Sequence, residues 1–183
     1  MRPVDNRQRR GFFARVFSAA AVLTLTRTGT SAAAQAASDT SWLKDVPGKS
    51  RCFFDCPQHM NAVGLLHILN YLGAYPPGTA GVASSFYGVG PASSIALGFN
   101  DAMWAKYGLG EVLGLKDASG TPYTRNVFAR LTKGEAHLLA GRMGIPSSIA
   151  MLGDAAPALS IPNLQKMGTK FLLCNNALGL WTL

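Results

Sequence analysis

Between residues 50 and 183, short apolar runs alternate with stretches of helical spacing, and this alternation is what most constrains the fold. "SRCFFDC" (50–56) is short, apolar and aromatic, as a buried first strand should be. "PQHMNAVGLLHILNYLGAY" (57–75) places Met60, Val63, Leu66 or His67, and Asn70 or Tyr71 at helical spacing, with Pro57 near its first turn. Pro76, Pro77 and Gly78 stop it. "GVASSFYGVG" (81–90) is the second strand, β-branched and aromatic and closed by glycines, and "PASSIALGFNDAMWAKYGLG" (91–110) the helix after it.

The pattern continues to the last residues. "LKDASGTPYTRN" (115–126) is a loop rich in turn formers, and "VFARLTKGEAHLLAGRMG" (127–144) a helix ending at glycine. "IPSSIAMLGDAAP" (145–157) reads as a third strand. "SIPNLQKMG" (160–168) is a short helix with Ser160 as cap, Pro162 in the first turn and Gly168 just past the end. "TKFLLC" (169–174) is a strand, and "NNALGLWTL" (175–183) opens another helix. Strands and helices in alternation predict an α/β layer fold with a mostly parallel sheet flanked by helices. The sequence stops at Leu183 inside a helical segment, which reads as a C-terminally truncated fragment.

Charge and composition narrow the function classes. The chain has 183 residues, is 48% hydrophobic and carries a formal charge of +8. Residues 1–36 hold six arginines and one acid, a net +5, which leaves +3 spread over residues 37–183. A nucleic-acid interface needs basic charge gathered on one face, and that pattern is absent from the sequence. The leader reads instead as an export signal: a basic start, the short apolar run "VFSAAAVLTLT" (16–26), and an A-x-A cleavage pattern at Ala34–Ala36. "RQRRGFFAR" resembles the twin-arginine motif, carried by Arg9 and Arg10 with Phe12 and Phe13 after them. The expected organisation is an export signal over 1–36 read by the export machinery, a polar lead-in over 37–49, and one domain over 50–183. The expected location is the periplasm.

Cys174 ends an apolar strand and precedes Asn175 and Asn176 at the start of a helix. The carboxyl ends of parallel strands are where α/β proteins place ligands and chemistry. A thiolate is the nucleophile, a helix N-terminus favours it, and the two asparagines add side-chain donors. The other reading of "FLLC" is core packing. Cys52 and Cys56 bracket "FFD". They read as buried thiols, as a disulfide or redox pair if the chain turns after Asp55, or, with His59, as ligands in a spacing that matches no zinc motif. "YGVGPASS" (87–94) lacks the third glycine of a dinucleotide fingerprint, where Ser93 stands, and reads as a tight turn. His59 and His67 read as packing histidines and His137 as a surface or core histidine; Asp101 with Trp104, and Arg125 with Asn126, are loop or pocket candidates whose favoured role is capping and turn hydrogen bonding.

The runs "SIPNLQKMGTKFLLCNNAL" (160–178), "FNDAMWAKYGLGEVLGLKD" (99–117) and "SGTPYTRNVF" (119–128) resemble the exported branch of the DsrE/DsrF-like family. The resemblance covers most of residues 49–183. It implies a flavodoxin-like sheet, assembly as a homo-oligomer, no metal or organic cofactor, and a cysteine at the position of Cys174 that carries sulfane sulfur as a persulfide between a donor and an acceptor protein. Two other functions remain open from the residues: a non-catalytic periplasmic small-ligand-binding or assembly module, and a thiol-redox protein using Cys52 and Cys56.

Overall fold

The computed structural model describes residues 40–144 and 150–181. Three parallel strands, β1 (Ser50–Cys56), β2 (Ala80–Phe86) and β3 (Thr169–Leu173), lie side by side in the order β1-β2-β3. On β1 the side chains alternate: Cys52, Phe54 and Cys56 turn inward while Arg51, Phe53 and Asp55 stay exposed. β2, hydrogen-bonded on both sides, is buried over nearly its whole length. Helices flank the sheet. The fold is therefore the expected α/β arrangement of the flavodoxin-like kind, a parallel sheet with a helix layer.

The helices gather on one face. α1 (Val63–Gly73) joins β1 to β2 and buries Leu65, Ile68 and Leu72. The connection from β2 to β3 contains α2 (Asp101–Tyr107), α3 (Leu109–Val112), α4 (Ala136–Met143), α5 (Ala150–Ala155) and α6 (Ile161–Lys166). α7 (Asn175–Trp181) follows β3. α1 and α6 pack against each other, so both crossovers lie over the same side of the sheet. The strand order never reverses among the described residues. On the other face, lead-in residues form a 3₁₀ turn (Ser41–Asp45) and then cross the amino ends of the strands. Pro47 lies directly over Gly81: a Cβ there would sit 2.2 Å from the Pro47 carbonyl oxygen, so only glycine fits. Asp45 pairs with Lys170, and Arg51 donates to the Gly48 and Leu43 carbonyls.

Several expected helices are shorter than the spacing predicts, each for a local reason. The 57–75 segment becomes helical only at Val63, because His59 captures the Asn61 N–H on its ring nitrogen and ties its own N–H to the Ala92 carbonyl. Met60, Asn61 and Ala62 take the left-handed conformation there, at φ 43°, 50° and 72°. The 91–110 segment breaks at Phe99, which is extended, and restarts where the Asn100 side chain accepts from the Met103 N–H. Gly108, at φ 60°, ends α2. The 127–144 segment breaks before Thr132 and Glu135, which form a reciprocal capping box ahead of α4.

Two expectations are corrected. Residues 150–155, read as part of a third strand, form α5, followed by a 3₁₀ turn over Ala156–Leu159; residues 145–149 lie outside the described residues. "AMLGDA" holds alanine, leucine and methionine and no β-branched residue, and so favours helix. The Ser160 hydroxyl donates to the Pro157 carbonyl and makes no cap hydrogen bond to α6.

The core is centred on Trp104. It is fully buried, its indole N–H donates to the Ala96 carbonyl at 3.0 Å, and its ring meets Phe128 edge-on. Buried Asn126 donates to the Leu97 and Phe99 carbonyls and caps the next turn at Phe128, and its N–H reaches Asp101. The capping role expected of Asp101 and Asn126 is what these bonds show.

Trp104→Ala removes both the ring volume and the indole bond, and should cost about 3–5 kcal/mol of stability by denaturant unfolding. Asp55, on the exposed face, accepts from the Ser85 hydroxyl at 2.6 Å and the Tyr87 hydroxyl at 2.8 Å, and these bonds hold its carboxyl below the usual range. The folded pKa is thus depressed, so the stabilisation is present above the unfolded value and is lost as pH falls through the folded one. Asp55→Ala should lower the unfolding midpoint at neutral pH, and the gap to wild type should close as pH drops below about 4.

Candidate functional site

The carboxyl edge of the sheet is built from the ends of all three strands and the turns that leave them. β1 ends at Cys56, β2 at Phe86 and β3 at Leu173, and the register aligns these three residues in one row. Ser94 pins the row. Its hydroxyl donates to the Cys56 carbonyl and accepts the Tyr87 N–H at 3.0 Å. The "YGVGPASS" segment is the tight turn its glycines suggest, with Gly88 at φ 92° and Gly90 at φ 93°, and the Ser93 hydroxyl donating to the Gly88 carbonyl at 2.7 Å.

Cys174 links sheet to helix. Its N–H donates to the Phe86 carbonyl at 3.0 Å, which extends the β2–β3 pairing by one residue. Its carbonyl accepts the Leu178 N–H at 2.9 Å, the first bond of α7. Cys174 is therefore the N-cap residue of that helix, and its side chain is half-buried against the core. Asn175 and Asn176 follow as exposed residues of the first turn. The far end of α7 is tied down by Trp181, whose indole donates to the Gly88 carbonyl at 3.2 Å and whose ring meets Phe99 edge-on at 5.9 Å.

The other thiols sit elsewhere. Cys56 is buried, its sulfur accepts from the Ser84 hydroxyl at 3.5 Å, and a Cβ on Gly64 would lie 3.2 Å from it. Burial pushes its pKa up. Cys52 is half-buried on the same face of β1. β1 runs extended through both, without the turn after Asp55 that a bridge requires. Four residues of strand separate their Cα atoms by roughly 13 Å, well past the ~7 Å reach of a disulfide. Cys56 and Cys174 are held apart by β2, at roughly two strand spacings or 10 Å. All three are free thiols.

The metal reading of Cys52, Cys56 and His59 gains nothing from the geometry. Among the described residues, no three of His, Cys, Asp and Glu converge to hold an ion. The Nδ1 of His59 is occupied by the Asn61 N–H, burial lowers its pKa, and His67 is exposed on α1. His137 is half-buried and staples two segments: its ring nitrogens lie 2.9 and 2.8 Å from the Gly134 and Lys116 carbonyls. Arg9 and Arg10, with the rest of the expected export signal, lie outside the described residues. No helix of the described residues is long and apolar enough to cross a membrane.

One feature of the site has no trace in any single motif. Beside β3 lies an open cleft of about 310 Å³, lined by Phe86, Leu97, Phe99, Ile161, Phe171 and Leu173, with Asn100, Asn126 and Gln165 as its polar members. No charged side chain lines it. The Phe86 and Phe171 rings stack at 4.9 Å on its floor. Gly98 creates the room for its wall, since a Cβ there would lie 2.5 Å from a Leu173 methyl. The residues come from five separate segments, so sequence order hides the cleft. Comparison with protein-family models, with curated proteins and with solved structures finds no match.

Labelling tests the ranking of the thiols. A maleimide added to the native protein should modify Cys174 well ahead of Cys56, with each unit of upward pKa shift removing about tenfold of the reactive thiolate. Cys56 should become reactive once the protein is unfolded, and peptide mapping by mass spectrometry reads both sites.

Proposed function

We propose that this protein is an exported, DsrE-like carrier of sulfane sulfur that holds the sulfur on Cys174. One observation carries the reading: Cys174 is the thiol that combines partial exposure with the N-cap position of a helix at the carboxyl edge of a parallel sheet. The first-turn N–H groups of a helix lack carbonyl partners within it, and that end of a helix favours negative charge. Cys56 also ends a strand beside the first turn of a helix, but it is buried and burial raises its pKa.

The chemistry needs a sulfane donor such as inorganic polysulfide. The Cys174 thiolate attacks the terminal sulfanyl sulfur, and a new S–S bond forms to the cysteine. The polysulfide S–S bond breaks, and its electron pair leaves with the shortened chain. Delivery reverses the roles: an acceptor thiolate takes the outer sulfur and Cys174 leaves as thiolate. No metal or organic cofactor enters either step. Under this reading the partners are a donor and an acceptor protein in the periplasm, with the leader serving the export machinery.

The uncharged cleft beside β3 favours a second reading, a binding module for a small apolar ligand in which Cys174 is packing. Intact mass after polysulfide treatment separates the two. The carrier reading expects a gain of one or more sulfur atoms, reversed by reductant and lost in Cys174→Ser. An unmodified Cys174 in the native protein, with an adduct appearing only on unfolding, would leave the binding reading in its place.

A further inference from the structure

β1 is an edge strand: β2 pairs with one side of it, and among the described residues no strand pairs with the other. An open edge offers unpaired N–H and C=O groups to another chain. Proteins blunt such edges with proline, bulges or charged side chains, and on β1 the charges come as an opposite pair, Arg51 and Asp55. β1 has no proline, and its pairing with β2 runs unbroken from Ser50 to Cys56.

The order of side chains along this edge selects a partner. Arg51, Phe53 and Asp55 all project from the face that carries no helix, and Phe53 is 55% exposed. The two charges have opposite sign and stand at equal distances either side of the phenylalanine. We propose that a second copy of this chain pairs with this edge, β1 antiparallel to β1 about a two-fold axis at Phe53, to make one continuous six-stranded sheet. In that register Phe53 faces Phe53 of the second copy. Arg51 faces Asp55 of the second copy, and Asp55 faces its Arg51. Aromatic pairs and opposite charges directly across a ladder are both favourable.

Other registers lose this match. A shift of two residues sets a charged residue against Phe53. A shift of four sets Arg51 against Arg51 or Asp55 against Asp55. A slip of one turns each side chain to the wrong face. Both charged groups keep spare hydrogen-bonding capacity; the Asp55 carboxylate leans toward β2 in the single chain and turns to the edge on pairing. Arg51 uses Nε and Nη1 on the Gly48 and Leu43 carbonyls, and its remaining N–H groups are left for a carboxylate. Asp55 accepts from Ser85 and Tyr87 and keeps further lone-pair sites. On the helix side of the same strand, Phe54, Tyr71 and Tyr75 form an aromatic ladder, with centroids 6.0 and 5.2 Å apart. Tyr75 is 37% exposed, which places an aromatic surface beside the proposed axis on this face also.

Sedimentation equilibrium of the 183-residue chain reads the assembly. Wild type should show the mass of two chains at micromolar concentration, Arg51→Asp the mass of one, and Arg51→Asp combined with Asp55→Arg the mass of two again. Because Asp55 also holds Ser85 and Tyr87, the double variant can fail for reasons of folding, and a crosslink supplies an independent reading. Residues directly opposite in an antiparallel pair have Cα atoms about 4.5–5.5 Å apart, within disulfide range. Phe53→Cys should therefore link to itself under mild oxidant, while wild type and Tyr107→Cys, on exposed α2, should not. A one-chain mass at every concentration, an unchanged mass in Arg51→Asp, or no link through position 53 each overturns the proposal.

Discussion

β2 hydrogen-bonds to a neighbour on each side, so its seven residues have no edge in contact with water and must satisfy both faces of the sheet at once. Its sequence meets that demand by size. Val82, Ser84 and Phe86 fill the helix side, and on the opposite side Gly81 leaves the room in which Pro47 lies. The rest of the molecule is referenced to this strand. The Phe86 carbonyl receives the Cys174 N–H and so fixes where β3 ends and α7 begins. The Ser84 hydroxyl reaches the Cys56 sulfur, and the Ser85 hydroxyl reaches Asp55 on the other face. The strand is buried on both faces, and the contrast between a buried and an exposed face appears on its neighbour β1.

That asymmetry between the faces organises the functional picture. Parallel sheets are ordinarily covered on both sides. Among the described residues both crossovers run over one side, and the lead-in strap covers the other at the amino ends of the strands. The thiol at the carboxyl edge and the charge-matched edge of β1 are then separate features of the sheet. Chemistry is proposed at the end of β3, and assembly at the side of β1, two strands away. Neither requires the other. The helix-side cleft lies against β3, next in sequence to Cys174, so a bound apolar molecule would sit near the proposed sulfur site without contact with the proposed dimer edge.

Much of this was legible in the residues. All three strands follow from short runs whose alternation or apolar content fits their place: "SRCFFDC" at an edge, "AGVASSF" at the centre, "TKFLL" at the other edge. The junction at Cys174 was legible too, because an apolar run followed by two asparagines marks a strand handing over to a helix. What the periodicity hid were the interruptions. Asn100 before α2 and the Thr132–Glu135 box before α4 are capping signals that were present but overridden by a continuous apolar spacing. The left-handed run at Met60–Ala62 had no local signal, since it depends on His59 being tied to Ala92, thirty-three residues on. Of "IPSSIAMLGDAAP", read as a strand, residues 150–155 form a helix because that half holds alanine, leucine and methionine. Strand order, the open face and the cleft depend on how distant segments meet, which pattern along the chain does not encode.

The central claim is that the sheet presents Cys174 as a thiol able to accept sulfur and give it up again. The most direct measurement follows that second half of the cycle. A variant carrying Cys52→Ala and Cys56→Ala keeps Cys174 as its one cysteine, and it can be loaded with isotopically labelled sulfane sulfur, freed of donor and mixed with a small acceptor thiol. The account predicts that the label appears on the acceptor as a persulfide while Cys174 returns to the thiol, with one sulfur moved for each one loaded. Label that stays on the protein, or that leaves only as free sulfide without reaching the acceptor, would contradict it.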